Sequence, residues 1–219
     1  YITRNTTLPN ANLKPEISSS TEFGVDLRFF RGRLGIDATY YNSLTVNQIL
    51  TLQLPTGTGF TAQLINAGKI RNRGVEIMLS GQPLKEGAFT WNTNINFARN
   101  VNKIITLHEN IKQAWIATVV RTAGVAAHEG GSYGDLYGYT WAKNANGQYM
   151  VNDTTGLPIS AANGYLGNFN PKFTLGWNNS FAYKNFVLNF LIDGRVGGQM
   201  VSGTEANLAY DGNADYTLA

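Results

Sequence analysis

"FTWNTNINFARN", Phe89 to Asn100, changes character at every step: Phe89, Trp91, Thr93, Ile95 and Phe97 alternate with Thr90, Asn92, Asn94, Asn96 and Ala98. Successive side chains of an extended strand point to opposite faces, so this period of two predicts a strand with one apolar side and one wet side. The wet side is rich in amides and carries no charge from Thr90 to Asn100.

Five further segments repeat the pattern, and the six pair across short turns. Over 21–30 the apolar set is Phe23, Val25, Leu27 and Phe29; over 33–42 it is Leu34, Ile36, Ala38 and Tyr40, with Arg31-Gly32 as the turn. Segment 73–82 sets Val75, Ile77 and Leu79 against Glu76, Met78 and Ser80, then turns through Pro83 to Gly87 into 89–99. The third pair is 172–183, with Phe173, Leu175, Trp177, Phe181 and Tyr183, and 186–196, with Phe186, Leu188, Phe190 and Ile192. Asn179 is the misfit on the apolar side. Three antiparallel hairpins in an all-β chain are the predicted framework.

The connections between hairpins are much longer: 43–69, 101–171 and a tail over 197–219. Within 101–171, "GQYMVNDTTGLPIS" predicts a small hairpin that turns over Asn152 to Gly156. Loops above roughly 12 to 15 residues are uncommon inside a compact soluble domain. A transmembrane barrel has them by construction, with short turns on one side of the membrane and long loops outside. A strand of about 10 residues at about 3.3 Å each, tilted by about 45°, climbs roughly 23 Å, close to the apolar band of about 25 Å on such a barrel. Aromatics gather at both strand ends: Phe29, Phe30, Phe89, Trp91, Tyr183 and Phe186 near the turns, Tyr40, Phe97 and Phe173 near the long loops. That is the two-girdle distribution of rings at headgroup level.

A soluble β-sandwich also alternates and also buries aromatics. The unequal connections and the sparse charge on the wet faces favour a barrel segment. Only 14% of the 219 residues are charged, against about a quarter in typical domains. Six strands fall short of the roughly eight needed to close a barrel, and open edges in lipid are costly, so the chain is expected to be part of a larger barrel. It opens at Tyr1 without an initiator Met or a signal-like segment, which fits a mature, trimmed or partial chain.

The net charge of +3 is scattered and forms no basic run, which argues against a nucleic-acid partner. Zero cysteines exclude a disulfide framework, a thiolate metal site and a cysteine nucleophile. No stretch approaches the roughly 18 to 20 apolar residues of a spanning helix.

Several stretches resemble the SusC/RagA type of TonB-dependent outer-membrane transporter of Bacteroidetes. "NLKPEISSSTEFGVDLRFFRGRLGIDATYYNS" is similar to the family's Leu-Lys-Pro-Glu lead into a descending strand, its turn and its Tyr-Tyr-Asn strand. "NAGKIRNRGVEIML", "GDLYGY" and "GNFNPKFTLGWNNSFAYKNF" resemble later elements in the same order. The resemblance implies a 22-stranded barrel in the Gram-negative outer membrane, closed by an N-terminal plug. It implies import of an oligosaccharide or peptide with energy from TonB, and a SusD-like surface lipoprotein as lid. On that resemblance the chain is a late barrel segment, with the plug and TonB box absent and Ala219 in an outer loop. A passive porin-like barrel and a soluble adhesin-like sandwich remain the alternatives.

Candidate chemistry is sparse, and no cofactor is expected. His108-Glu109 and His128-Glu129 have no serine nucleophile at a recognisable spacing, so no catalysis is expected. "DGNAD" offers Asp211, Asn213 and Asp215 as alternate oxygen donors, but it lacks the central glycine and later glutamate of a calcium loop and reads better as a turn. Tyr133, Tyr137, Tyr139 and Trp141 gather in one loop segment. They suit stacking on a sugar, or packing onto the barrel rim or lid. The wet set Glu22, Asp26, Arg28, Asp37, Arg73, Glu76, Asn92, Asn94, Asn96, Asp193 and Arg195 is expected to line the lumen, with the charged members paired, because buried charges need partners.

Overall fold

The alternating segments do become strands, and the computed structural model describes them within residues 6–54, 56–66, 68–108, 111–120 and 123–215. In chain order these are β1 (Thr7–Leu8), β2 (Ile17–Phe29), β3 (Leu34–Val46), β4 (Ile49–Gln53), β5 (Ala62–Asn66), β6 (Lys69–Glu86) and β7 (Phe89–Thr106). There follow β8 (Gln113–Val120), β9 (Ala123–His128), β10 (Asp135–Trp141), β11 (Ser160–Asn168), β12 (Phe173–Tyr183), β13 (Phe186–Val196) and a helix α1 (Gly203–Tyr210). They form a six-stranded sheet ordered β13-β12-β7-β6-β3-β2, a four-stranded sheet β11-β10-β9-β8 and a small sheet β1-β5-β4.

Cross-strand register unites the two faces over the six-stranded sheet, since residues directly opposite in an antiparallel pair share a face. One row runs Leu27, Ile36, Leu79, Ile95, Trp177 and Ile192; the next residue in each strand gives Arg28, Gly35, Ser80, Asn94, Asn178 and Leu191. A slip of one residue at any seam would break this separation. No apolar side chain of the sheet is buried between the short turns and Gly74. Both faces are open to their surroundings, as a barrel wall between lipid and water requires.

Two glycines of the "NAGKIRNRGVE" lead have backbone roles. Gly68 has φ of 80° at a bulge, where a Cβ would collide with the Thr106 carbonyl. Gly74 lies under the Tyr41 phenol on the wet face, in space that a Cβ would take from the ring. The turn after β2 is wider than Arg31-Gly32, because Phe30, Arg31 and Gly32 all have positive φ, at 54°, 58° and 86°.

The buried core lies beyond the sheet's two-faced part. Ile70 and Ile104 are directly paired on the wet side and pack with Leu50, Leu107 and Ala127. The alternation therefore changes phase beyond Asn72 and Asn102: below Arg73 and Arg99 odd positions are apolar, while at the upper end the even positions Ile70 and Ile104 are apolar and buried. This inversion carries β6 and β7 well past the expected limits of 73 and 99. The connection expected over 43–69 likewise holds the end of β3 together with β4 and β5, and the one expected over 101–171 holds β8 to β11. The small hairpin is present, with the Asn152 N–H donating to the Leu157 carbonyl at 2.8 Å and the Gly156 N–H to the Asn152 carbonyl at 2.8 Å.

Asn179 sits on the apolar face yet is 1% exposed, the lowest of any side chain in the two-faced region. Its Oδ1 accepts from Trp91 Nε1 at 3.0 Å, while Trp177 Nε1 donates to Thr93 Oγ1 at 2.8 Å. Phe181 stacks on Trp91 with centroids 5.5 Å apart and on Phe190 at 6.0 Å, and these rings roof the polar groups. Both indole N–H groups and the Asn179 carbonyl are thus paired on that face, where an unpaired polar group would be costly.

Candidate functional site

Where β12 leaves β7, a cavity of about 890 Å³ opens between the six-stranded sheet and the loops above it. Pairing of these strands ends at Ala98 with Thr174, while β7 runs on beside β6 to Thr106. Its polar lining combines the amides Asn100, Asn102, Asn168 and Asn170 with Tyr41 and the charged Glu76, Arg99 and Lys172. The amides both donate and accept, so they suit hydroxyl or peptide groups.

A buried carboxylate builds the rim. Asp135, 6% exposed, accepts the Ser132 N–H at 2.7 Å and Asn168 Nδ2 at 2.7 Å. Asn168 Oδ1 in turn accepts the Asn170 N–H at 2.7 Å, and Gln199 Oε1 accepts the Asn168 N–H at 2.9 Å. On the other side, Asn102 Oδ1 accepts the Tyr133 N–H at 2.7 Å while its Nδ2 donates to Asn72 Oδ1 at 2.8 Å. The "GDLYGY" and "GNFNPK" stretches are thereby joined across the chain. At the first hairpin, Asn66 bonds the backbone N–H and carbonyl of Lys14 at 2.7 and 2.8 Å, joining "NLKPE" to "NAGK".

The aromatic quartet separates. Tyr133 packs against the buried core. Tyr137, Tyr139 and Trp141 occupy alternate positions of β10, with Tyr139 58% and Trp141 54% exposed. Tyr165 of β11, which the sequence motifs do not single out, stands directly opposite Tyr137 with its ring edge-on at 5.7 Å. Burial, then the nearby Asp135 carboxylate and Tyr165, raise the Tyr137 phenol above its ordinary pKa, so that ring is uncharged at neutral pH.

Of the expected lumen set, Glu22, Asp26, Arg28, Asp37, Glu76, Asn92, Asn94, Asn96, Asp193 and Arg195 do share one face. Arg73 does not: it lies opposite Val101, two residues from Val75, and so belongs to the apolar side. Its nearness to Glu76 in sequence suggested an ion pair, but three residues along a strand place the two on opposite faces. Among the described residues the one ion pair is Arg28 with Asp26, at 2.7 Å, with Asp37 directly opposite Asp26. Arg195 instead donates to the Phe169 carbonyl at 2.6 Å and holds the "NFNPK" turn.

The remaining candidates resolve into structure. His128 is exposed with its ring 6.4 Å from that of Tyr137, His108 is exposed, and Glu109 lies outside the described residues. Asp211 caps the C-terminus of α1; the Asn213 N–H donates to the Leu208 carbonyl and the Gly212 N–H to Ala209, a Schellman stop with Gly212 at φ 73°. Among the described residues no three His, Asp or Glu side chains gather to hold a metal. No helix is long and apolar enough to cross a membrane, which says nothing of strands.

The family model described as "TonB dependent receptor-like, beta-barrel" matches residues 1–218. TonB-dependent receptor P3 of Formosa agariphila is 29% identical over 222 residues, covering 91% of this chain and 22% of that protein. TonB-dependent receptor SusC of Bacteroides thetaiotaomicron is 35% identical over 101 residues, 45% of this chain and 10% of its own length. A structure of the RagAB peptide importer in its "open-open" state superposes with a TM-score of 0.65 at 20% identity, over 88% of this chain and 22% of that one. The chain thus spans about a fifth of the length of P3 and of the importer chain. With a two-faced antiparallel sheet of spanning length and a family match along nearly all of it, the chain belongs to the TonB-dependent receptor β-barrel family.

Proposed function

We propose that this chain is wall and outer-loop structure of an outer-membrane active transporter that imports a large nutrient, an oligosaccharide or a peptide, with TonB-coupled energy. The observation that carries the reading is the register-aligned sheet, one face apolar and one rich in Asn, Thr, Ser and Gly, with strands long enough to cross an apolar band of about 25 Å. The apolar face meets lipid and the amide face lines the lumen, beside the plug of the complete protein. Above the membrane the amide-lined cavity and the rings of Tyr139, Trp141 and Tyr165 face cargo or a SusD-like lipoprotein lid. Family membership supports import over catalysis, and the amide donors and acceptors of the cavity support a polar cargo.

Uptake of labelled oligosaccharides and peptides by cells carrying the full-length protein tests this directly. Import that stops when a protonophore collapses the proton motive force is the expected result. Uptake that continues unchanged indicates a passive pore and overturns the active reading.

A further inference from the structure

Four cationic side chains gather where the apolar face of β6 and β7 ends. Arg71 lies directly opposite Lys103, Arg73 opposite Val101 and Arg99 opposite Val75, so all four cations share the face of Ile77, Leu79, Ile95 and Phe97. Each is exposed. Like charges directly across an antiparallel pair repel. Across the flanking strands the same face offers Asn42 and Leu44, then Thr21 and Ser19, and no carboxylate. Arg28 and Asp26, the one ion pair among the described residues, stand on the opposite face. The patch draws no counter-charge from its own sheet.

Its height is defined by the strand. At about 3.3 Å per residue and a tilt of about 45°, Arg99 rises roughly 23 Å above Phe89 and Lys103 roughly 33 Å. An apolar band of about 25 Å, topped by a headgroup layer of about 5 to 8 Å, brackets that interval. Directly below lie Val75, Ile77 and Phe97, which suit acyl chains. Guanidinium forks match phosphate oxygens bidentately.

We propose that Arg71, Arg73, Arg99 and Lys103 form a binding surface for the phosphate groups of phosphorylated lipids in the outer leaflet. It rests on the assignment of the apolar face to lipid and is independent of the cargo. The surface anchors the barrel at a fixed depth, with phosphates on the cations and chains against Ile77 and Phe97.

The test uses the full-length transporter in detergent, titrated with phosphorylated lipid A and with the same lipid stripped of phosphate, with bound lipid read by native mass spectrometry. The variant R71Q/R73Q/R99Q/K103Q is expected to bind the phosphorylated lipid at least about tenfold more weakly, since each cation near an anionic lipid surface contributes. The stripped lipid should bind wild type as weakly, and R71K/R73K/R99K should keep most of the binding. Heat-modifiable gel migration reports assembly; if the quadruple variant does not assemble, R73Q/R99Q takes its place with the same expected direction. Equal binding by variant and wild type, or of both lipids, overturns the proposal. Full displacement by inorganic phosphate does so too, because it indicates a free-anion site. Wild-type uptake separates the two readings: import that persists under a protonophore with selective lipid binding intact counts against the transport proposal alone, and absence of selective lipid binding with energy-dependent import intact counts against this one alone.

Discussion

Replacing Asp135 should loosen the rim of the cavity without unfolding the wall. The carboxylate is 6% exposed and satisfies two donors, the Ser132 N–H and Asn168 Nδ2, each at 2.7 Å. Hydrogen bonds to a charged acceptor contribute about 1.5 to 3 kcal/mol each, so Asp135→Ala should cost about 3 to 6 kcal/mol of local stability. Asp135→Asn presents one donor to another and should cost about 1 to 3 kcal/mol. Hydrogen exchange on the full-length protein reads this locally. Peptides over 131–135 and 167–171 should exchange faster by roughly two to four decades in Asp135→Ala, at one decade per about 1.4 kcal/mol. The β2–β3 hairpin, which shares no hydrogen bond with this network, should be unchanged. Unchanged exchange in both rim segments refutes the reasoning. Equal acceleration in the hairpin refutes it as well, since the loss is then global.

Two further outcomes follow from the apolar face and the loop platform. Asn179→Leu strands the Trp91 indole N–H and should lower stability by about 1 to 3 kcal/mol in a denaturation assay, whereas Asn179→Leu with Trp91→Phe should recover much of that loss because both polar partners are gone. Tyr139→Ala and Trp141→Ala remove side chains more than half exposed, so stability should stay within about 0.5 kcal/mol. If the platform holds cargo, half-saturation for uptake should rise roughly three- to tenfold, the scale of one aromatic contact of about 0.5 to 1.5 kcal/mol. Unchanged uptake would remove these rings from the cargo path.

The wall was legible because each face keeps one solvent along a strand, so period two in the sequence becomes a face in the fold: the rows through Ile95 and Asn94 follow from alternation alone. The strand ends were not, because the wet side of β6 and β7 becomes a buried apolar side at Ile70 and Ile104, and a phase inversion looks like the end of a strand. Arg73 shows the same difficulty in small: its alternation with Val75 assigns it to the apolar side, but the nearby Glu76 suggested an ion pair in the lumen. The sheet of β8 to β11 escaped notice since "AGVAAH" is short and covered on both faces, "DLYGYTW" alternates over only three aromatic positions, and bulges interrupt the pairing of β8 with β9 and of β10 with β11. Asp135 and Tyr165 depend on partners about 30 residues away, Asn168 for the first and Tyr137 for the second, which no local pattern encodes.

The most direct test of the two-faced wall compares single arginines at Ile95 and Asn94 in the full-length protein, with assembly followed by heat-modifiable migration and outer-membrane yield. Ile95 shares a row with Leu79 and Trp177, Asn94 with Ser80 and Asn178. Ile95→Arg should cost about 2 to 4 kcal/mol and impair assembly, as charge does on a lipid face near the bilayer midplane, while Asn94→Arg should be tolerated in the wet lumen. Tolerance at Ile95 with failure at Asn94 would invert the faces and contradict the account.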